Sequence, residues 1–290
     1  MNTLFKHFIL TRFNIVNLNH YNVSYDYVNS DEFLLPRFAL FESFCFPSVM
    51  KQNNNNFTWF VLFNDKLPEK WIAKLDKYKQ MFPNFEARFM SAEETKSTNL
   101  HQTLSRFVLE ELNNSRDNTE FILTTRFDND DAINLSFVDS VQKYFLEHQE
   151  EAIINYANGL QYIPKYNVLK NTTYPKSHFS TLIMKNTKDL QTALSFSHTE
   201  LPISCKSICL KTKNRMWLEN IHSTNVVNTV FFQFQNLLND LFFIGFKYKN
   251  LNDFGIKQNI PLINFYVWKL FFEWFFSKFK FKIINNIFRR

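Results

Sequence analysis

A chain of 290 residues that is 45% hydrophobic and 21% charged has enough apolar material for one large α/β domain with an extension, and its profile is not that of a disordered chain. With 3 glycines against 36 phenylalanines, neither a Walker nor a Rossmann phosphate loop can be built, because both need several glycines at fixed spacing. Net charge +6 suits a phosphorylated substrate, an anionic membrane or nucleic acid, and three cysteines without a CxxC pair indicate neither a disulfide framework nor a zinc site.

The N-terminus has only the short apolar stretch Phe8 to Leu10 before Arg12, which reads as no signal peptide and, with the cysteine usage, as a cytoplasmic chain. Strand-like runs then alternate with helical spacing, the pattern of βαβ units and a mostly parallel sheet. Strands are expected at His7 to Phe13, Phe57 to Phe63, Phe85 to Phe89, Phe121 to Phe127 and Ala152 to Tyr156. Helices are expected at Phe33 to Phe46, Pro68 to Met81, Ala92 to Leu112 and Ile133 to Leu146. From Gln161 to Ser177 the residues turn to Asn, Tyr, Thr and Pro, which reads as a loop or hairpin of the kind that builds acceptor sites.

The final stretch, Leu262 to Phe288, is aromatic but carries Lys269, Glu273, Lys278, Lys280 and Lys282, too many charges for a membrane span. Its apolar face of Phe265, Trp268, Phe271, Phe272, Phe275 and Phe279 fits either a helix lying on an anionic membrane surface or one docked on the core. The expected division is a domain over 1–235 and an aromatic, basic extension over 236–290.

The chemistry concentrates in Thr124-Thr125-Arg126-Phe127-Asp128-Asn129-Asp130-Asp131-Ala132, where three carboxylates follow directly on an apolar strand. Ligands of open α/β sheets bind beyond the carboxyl ends of the strands, and clustered carboxylates there call for a hard cation such as Mg²⁺ or Mn²⁺ shared with substrate phosphate. A solvated turn whose acids favour the next helix's dipole is the plain alternative.

Five segments in order, HFILTRFN, LFESFCFPSVMKQ, WFVLFND, TTRFDNDDA and WLENIHSTN, give the chain from about His7 to about Asn228 a resemblance to the putative rhamnosyltransferase family of bacterial glycosyltransferases. Phe127 stands where the family pattern has Leu, a change that bears on packing more than on chemistry. The resemblance implies a GT-A-like fold, a nucleotide-sugar donor and an Asp-x-Asp metal motif carried onto Asp128 and Asp130, with His222 as a late metal ligand. Thr11, Arg12 and Asn14 end the first strand, where a GT-A fold begins its nucleotide pocket, and Arg12 there suits either a phosphate or a structural ion pair. Asp65, at the end of the second strand, suits either a base or ribose contact or a cap before Pro68, and Arg126 and Asp128 are further donor contacts. Arg37 and Gln52 fall in a family-like segment without a role of their own.

The expected reaction is metal-assisted transfer of a sugar, rhamnose by the family's name, to a glycan or lipid-linked glycan. Asp131 and Glu200 are the candidate bases for the acceptor hydroxyl. The expected place is the cytoplasm, peripheral on the inner face of the cell membrane, with no nucleic-acid partner, since the basic residues gather in the aromatic tail and not around the acids. A nucleotidyltransferase or nuclease, or a calcium- or carbohydrate-binding surface protein, are the competing readings.

Overall fold

The computed structural model describes residues 2–15, 24–96, 100–115, 118–195, 205–222 and 250–260, with Phe272 and Phe276. Among these, the strands are β1 (Asn2–Arg12), β2 (Thr58–Asn64), β3 (Phe85–Met90), β4 (Asn118–Arg126), β5 (Ala132–Ile133), β6 (Ala152–Tyr156), β7 (Asn158–Ile163), β8 (Val168–Thr173), β9 (Thr181–Lys185), β10 (Lys206–Leu210) and β11 (Trp217–Asn220). The helices are α1 (Asp31–Leu40), α2 (Phe46–Met50), α3 (Glu69–Met81), α4 (Ala92–Lys96), α5 (Leu100–Ser115) and α6 (Phe137–His148). Seven strands form one sheet in the order β10-β6-β9-β4-β1-β2-β3, parallel except for β9, which runs against both β4 and β6. A smaller sheet, β5-β11-β7-β8, stands beside it. This is the expected mixed, mostly parallel α/β architecture, a central sheet flanked by helices.

The central strands are apolar throughout because helices cover both faces of the sheet. In β2 every residue after Thr58 is buried, as are all five of β6. On one face Phe13, Phe38, Phe41, Trp59, Phe63, Trp71 and Tyr78 build an aromatic core, with Phe38 stacked on Trp71 at 4.2 Å between centroids. Flat rings fill the wedge between helix and sheet with few rotatable bonds, which is where much of the phenylalanine goes.

Helix α3 begins after Pro68, whose fixed φ suits a helix start. It buries Trp71, Leu75 and Tyr78, four and then three residues apart, against the sheet. Helix α1 starts at Ser30, whose hydroxyl accepts from the Phe33 N–H, and runs through a π-helical segment, Phe41–Cys45, into α2. Pro47 has no N–H to return to the preceding turn and its ring crowds that turn's carbonyl, which accounts for the wider winding just before it. The continuous helix Asp31–Met50 is long and apolar enough by length and composition to cross a membrane, yet Leu34, Phe38, Phe41, Cys45 and Val49 lie in the core of this domain.

Several expectations shift. The helix read from Ile133 starts at Phe137, because Ala132 and Ile133 pair with β11 and Asn134 N–H donates to the Met216 carbonyl at 3.0 Å. The helical pattern over 92–112 is divided between α4 and α5. The polar stretch after Gly159 forms the β7–β8 hairpin, its turn closed by Asn167 at φ 50°. Strands β9, β10 and β11 were outside the expected set. The aromatic stretch Leu262 to Phe288 lies outside the described residues apart from Phe272 and Phe276, but residues 250–260 dock on the domain. There Leu251, Phe254 and Ile256 join Phe44, Leu160 and Leu218 in a cluster over the smaller sheet, and the Leu135 N–H donates to the Asp253 carbonyl at 2.9 Å.

Candidate active site

The run from Asp128 to Asp131 leaves the carboxyl end of β4 and is fixed from three directions. From β1, the Asn129 amide donates to the carbonyls of Arg12 at 2.9 Å and Phe13 at 2.8 Å, tying the run to the end of the neighbouring strand. From α1, Arg37 Nη1 donates to Asn129 Oδ1 at 3.1 Å and stands 3.6 Å from Asp130 Oδ2. From β11, the Asn220 N–H donates to Asp131 Oδ1 at 2.8 Å, and the Asn220 amide donates to the Asp130 carbonyl.

Each buried acid then meets its own histidine. His222 Nε2 is 3.0 Å from Asp130 Oδ2. His178, which lies just before β9, has its Nε2 3.0 Å from Asp131 Oδ2 and 4.0 Å from Asp128 Oδ2. Asp128, Asp131 and His178 can each present one ligand atom within 4.8 Å of the others, and among the described residues this is the group whose donors converge. Two carboxylates and an imidazole suit Mn²⁺ well and Mg²⁺ acceptably.

The electrostatics set the two acids apart. Burial, reinforced by the charge of Asp130, pushes the Asp131 carboxyl well above the usual range, although His178 opposes it. Burial also resists ionisation of Asp128, but Arg126, His178, Arg12 and Arg37 outweigh it and hold that carboxyl down at about 2. For His178 burial favours the neutral ring, while its bond to Asp131 and the charges of Asp128, Asp131 and Glu219 raise it above its ordinary value.

The other expected residues divide. Arg12 and Arg126 bring their charge to Asp128. Thr11 does not join them; it is fully buried and accepts from the Trp59 indole at 3.0 Å, because alternation along β1 turns it to the opposite face of the sheet from Arg12. Asn14 is buried as a brace, accepting from the Asn64 N–H at 3.0 Å, and Asp65 accepts from the Tyr25 hydroxyl at 2.6 Å at the end of β2. Gln52 is a strut between α2 and α6, donating to the Ser48 and Asn134 carbonyls and accepting from the Val138 N–H. Glu200 lies outside the described residues. Sequence reasoning missed His178, one residue beyond the expected acceptor loop, and no periodicity or spacing marks it. Asn129 and Asn220 were within view as parts of motifs, but their work is geometric and shows only when three strand ends meet.

Fold and site together are those of a mostly parallel α/β protein that gathers acids and histidines at the carboxyl edge of its sheet. The chain belongs to the family described as putative rhamnosyl transferase, whose model matches residues 6–233. Among solved structures, Staphylococcus aureus TarS 1–349 in complex with UDP-GlcNAc is similar over 85% of this chain and 67% of that one, at 12% identity and a TM-score of 0.43. The same protein in complex with UDP matches over 52% and 35%, at 14% identity and 0.31. A putative nucleotide-diphospho-sugar transferase from Desulfovibrio desulfuricans G20 matches over 68% and 66%, at 8% identity and 0.30. The chain thus spans between 35% and 67% of these chains' lengths. No curated protein matches it.

Proposed function

We propose that this chain transfers a sugar from a nucleoside-diphosphate donor to a hydroxyl of a glycan or lipid-linked glycan, with a divalent metal held by Asp128, Asp131 and His178. The observation that carries the reading is that these three side chains converge at the carboxyl edge of the sheet, where open α/β folds bind their ligands. A bound Mn²⁺ or Mg²⁺ would supply Lewis-acid stabilisation of the charge on the departing diphosphate. The rest of the work falls to the chain. Arg12 and Arg126 place positive charge beside Asp128 and attract the diphosphate, and Asn220 and Asn129 hold the acids in register. In this reading Asp131 is a ligand, and Glu200 stays the candidate for the acceptor's base. Rhamnose as the transferred sugar rests on the family's description. A peripheral place on an anionic membrane is supported by the aromatic and basic sequence of 262–290, and would hold the enzyme near a lipid-linked acceptor.

Calorimetric titration with UDP-, dTDP- and GDP-sugars, with and without Mn²⁺, tests the reading. One donor should bind in a metal-dependent manner, and Asp128→Asn should weaken Mn²⁺ binding by about tenfold or more, as loss of a charged ligand does. Absence of metal-dependent binding across the panel, or an Asp128→Asn variant with unchanged Mn²⁺ affinity, would remove the assignment.

A further inference from the structure

On the smaller sheet, beside His178, lies a set of polar groups to which the transfer reading gives no work. We propose that Glu219 and Gln161 form a subsite for two neighbouring hydroxyls of a sugar ring, carried by the donor or by the acceptor. The proposal rests on the transfer reading for its place beside the reaction, and on its own geometry for what it binds.

Register brings these groups together. In the parallel pairing of β11 with β7, Trp217 stands opposite Gly159 and Glu219 opposite Gln161, and in the antiparallel pairing of β7 with β8, Gln161 stands opposite Lys170. Paired residues share a face, so acid, amide and ammonium form one row across three strands, two residues along β11 from Trp217. That face looks toward the segment before β9, because the Trp217 ring stacks on Phe179 at 5.1 Å. Ser177 and His178 immediately precede Phe179, and the charge of Glu219 reaches His178. The row therefore borders His178 from the smaller sheet, while Arg12 and Arg126 bring their charge to Asp128 from the ends of β1 and β4.

Hydrogen bonding within the row is incomplete. Gln161 Nε2 donates to Glu219 Oε2 at 2.7 Å, which leaves Glu219 Oε1 for another donor. Gln161 Oε1 and Ser177 Oγ are buried with no hydrogen-bond partner among the described residues, and Glu219 and Ser177 are only 8% and 1% exposed. Buried polar atoms are costly to leave unmatched, so a cluster of them beside a reaction site points to a ligand that matches them. The open atoms of the Glu219–Gln161 pair are acceptors, and with Lys170 the row carries no net charge, so the fitting ligand is neutral and donates hydrogen bonds. Two hydroxyls on adjacent ring carbons meet that demand, one donating to the carboxylate and one to the amide oxygen. A ring that lacks either hydroxyl leaves a buried acceptor unmatched, so the pair selects as well as holds.

The test separates sugar from nucleotide on the full chain and needs no turnover. Calorimetry compares UDP, dTDP and GDP with their sugars in the presence of Mn²⁺. Saturation-transfer NMR reads methyl glycosides of glucose, galactose, mannose, N-acetylglucosamine and rhamnose, with and without nucleotide. A donor source shows as a nucleotide sugar that binds more tightly than its own diphosphate, and an acceptor source as a glycoside signal. Glu219→Gln, which keeps the shape of the side chain, and Gln161→Leu should each weaken that sugar response about tenfold, the scale of a hydrogen bond to a charged group, and leave nucleoside-diphosphate affinity unchanged. Wild type should lose as much with the deoxy analogue that lacks one of the two hydroxyls, and the variants should lose little more with it, a coupling that a merely structural role would not produce. The analogues need no variant, so the proposal stays testable if a substitution prevents folding. No sugar response in wild type, an equal response in wild type and variants, or deoxy analogues that all bind like the parent sugar would each overturn it. If no nucleoside diphosphate binds, the transfer reading falls, and the glycoside signal without nucleotide still decides the subsite.

Discussion

His7 shows what a buried polar residue contributes away from the site. Its ring lies inside the sheet, with Nε2 2.8 Å from Thr125 Oγ1 and Nδ1 3.2 Å from Gln142 Nε2, and Thr125 passes the chain of contacts on to Thr181 at 2.6 Å. Burial brings its pKa down from 6.5 to about 3, so the folded protein keeps the ring neutral. As pH falls below about 6.5 the unfolded chain takes up a proton that the folded one refuses until about pH 3. The stability this group contributes is therefore complete above 6.5 and is lost as pH falls toward 3, at up to about 1.4 kcal/mol per pH unit. Urea unfolding at pH 7, 6 and 5 should show a steeper decline for wild type than for His7→Gln, even though the variant begins less stable. Parallel declines in the two proteins would mean that the ring is protonated in the fold.

Among the elements, β7 and β11 carry the most stringent contact. Gly159 stands opposite Trp217 in their parallel pairing, and the indole lies across it. A Cβ at Gly159 would come within 2.2 Å of the indole ring. The indole cannot move aside cheaply, because its Nε1 donates to the Tyr156 carbonyl at 2.7 Å and its ring stacks on Phe179 at 5.1 Å. Gly159→Ala should cost about 1–3 kcal/mol of stability, the range of overpacked cores. Because β11 ends in the Asn220 that holds Asp131, the same variant should also weaken Mn²⁺ binding. Thermal unfolding together with an Mn²⁺ titration checks both, and an unaltered melting temperature would show that the strand pair can open to admit a methyl group.

For the whole molecule, the question is where it works. Deleting 265–290 leaves the docked segment 250–260 in place, with Leu251, Phe254 and Ile256 still on the smaller sheet. The truncated protein is therefore expected to fold. If the tail binds a membrane, its basic residues each contribute about 1 kcal/mol near an anionic surface, in addition to burial of its aromatic face. The full chain should co-sediment with phosphatidylserine-containing liposomes at low salt and less at high salt, and the truncated chain should stay in solution. A full chain that ignores the liposomes, or a truncated one that unfolds, would assign the tail to the core.

The amino-acid sequence by itself determined the parts that depend on near neighbours. The apolar runs of β2 and β6, the proline-started α3 and the strand-then-acid order of Phe121 to Asp131 are local patterns, and they were enough for the α/β class, the family resemblance and the place of the carboxylates. Tertiary structure decided the rest. Strand β9 enters the sheet against its neighbours, and β5 replaces the first turn of a helix, because their partners lie tens of residues away in the chain. That His178 faces both Asp131 and Asp128, while His222 faces Asp130, is of the same kind. Adjacent residues leaving a strand end differ little in pattern, and what separates Asp130 from Asp131 is that Arg37, His178, Asn220 and His222 approach from different elements, each meeting the acid that faces it.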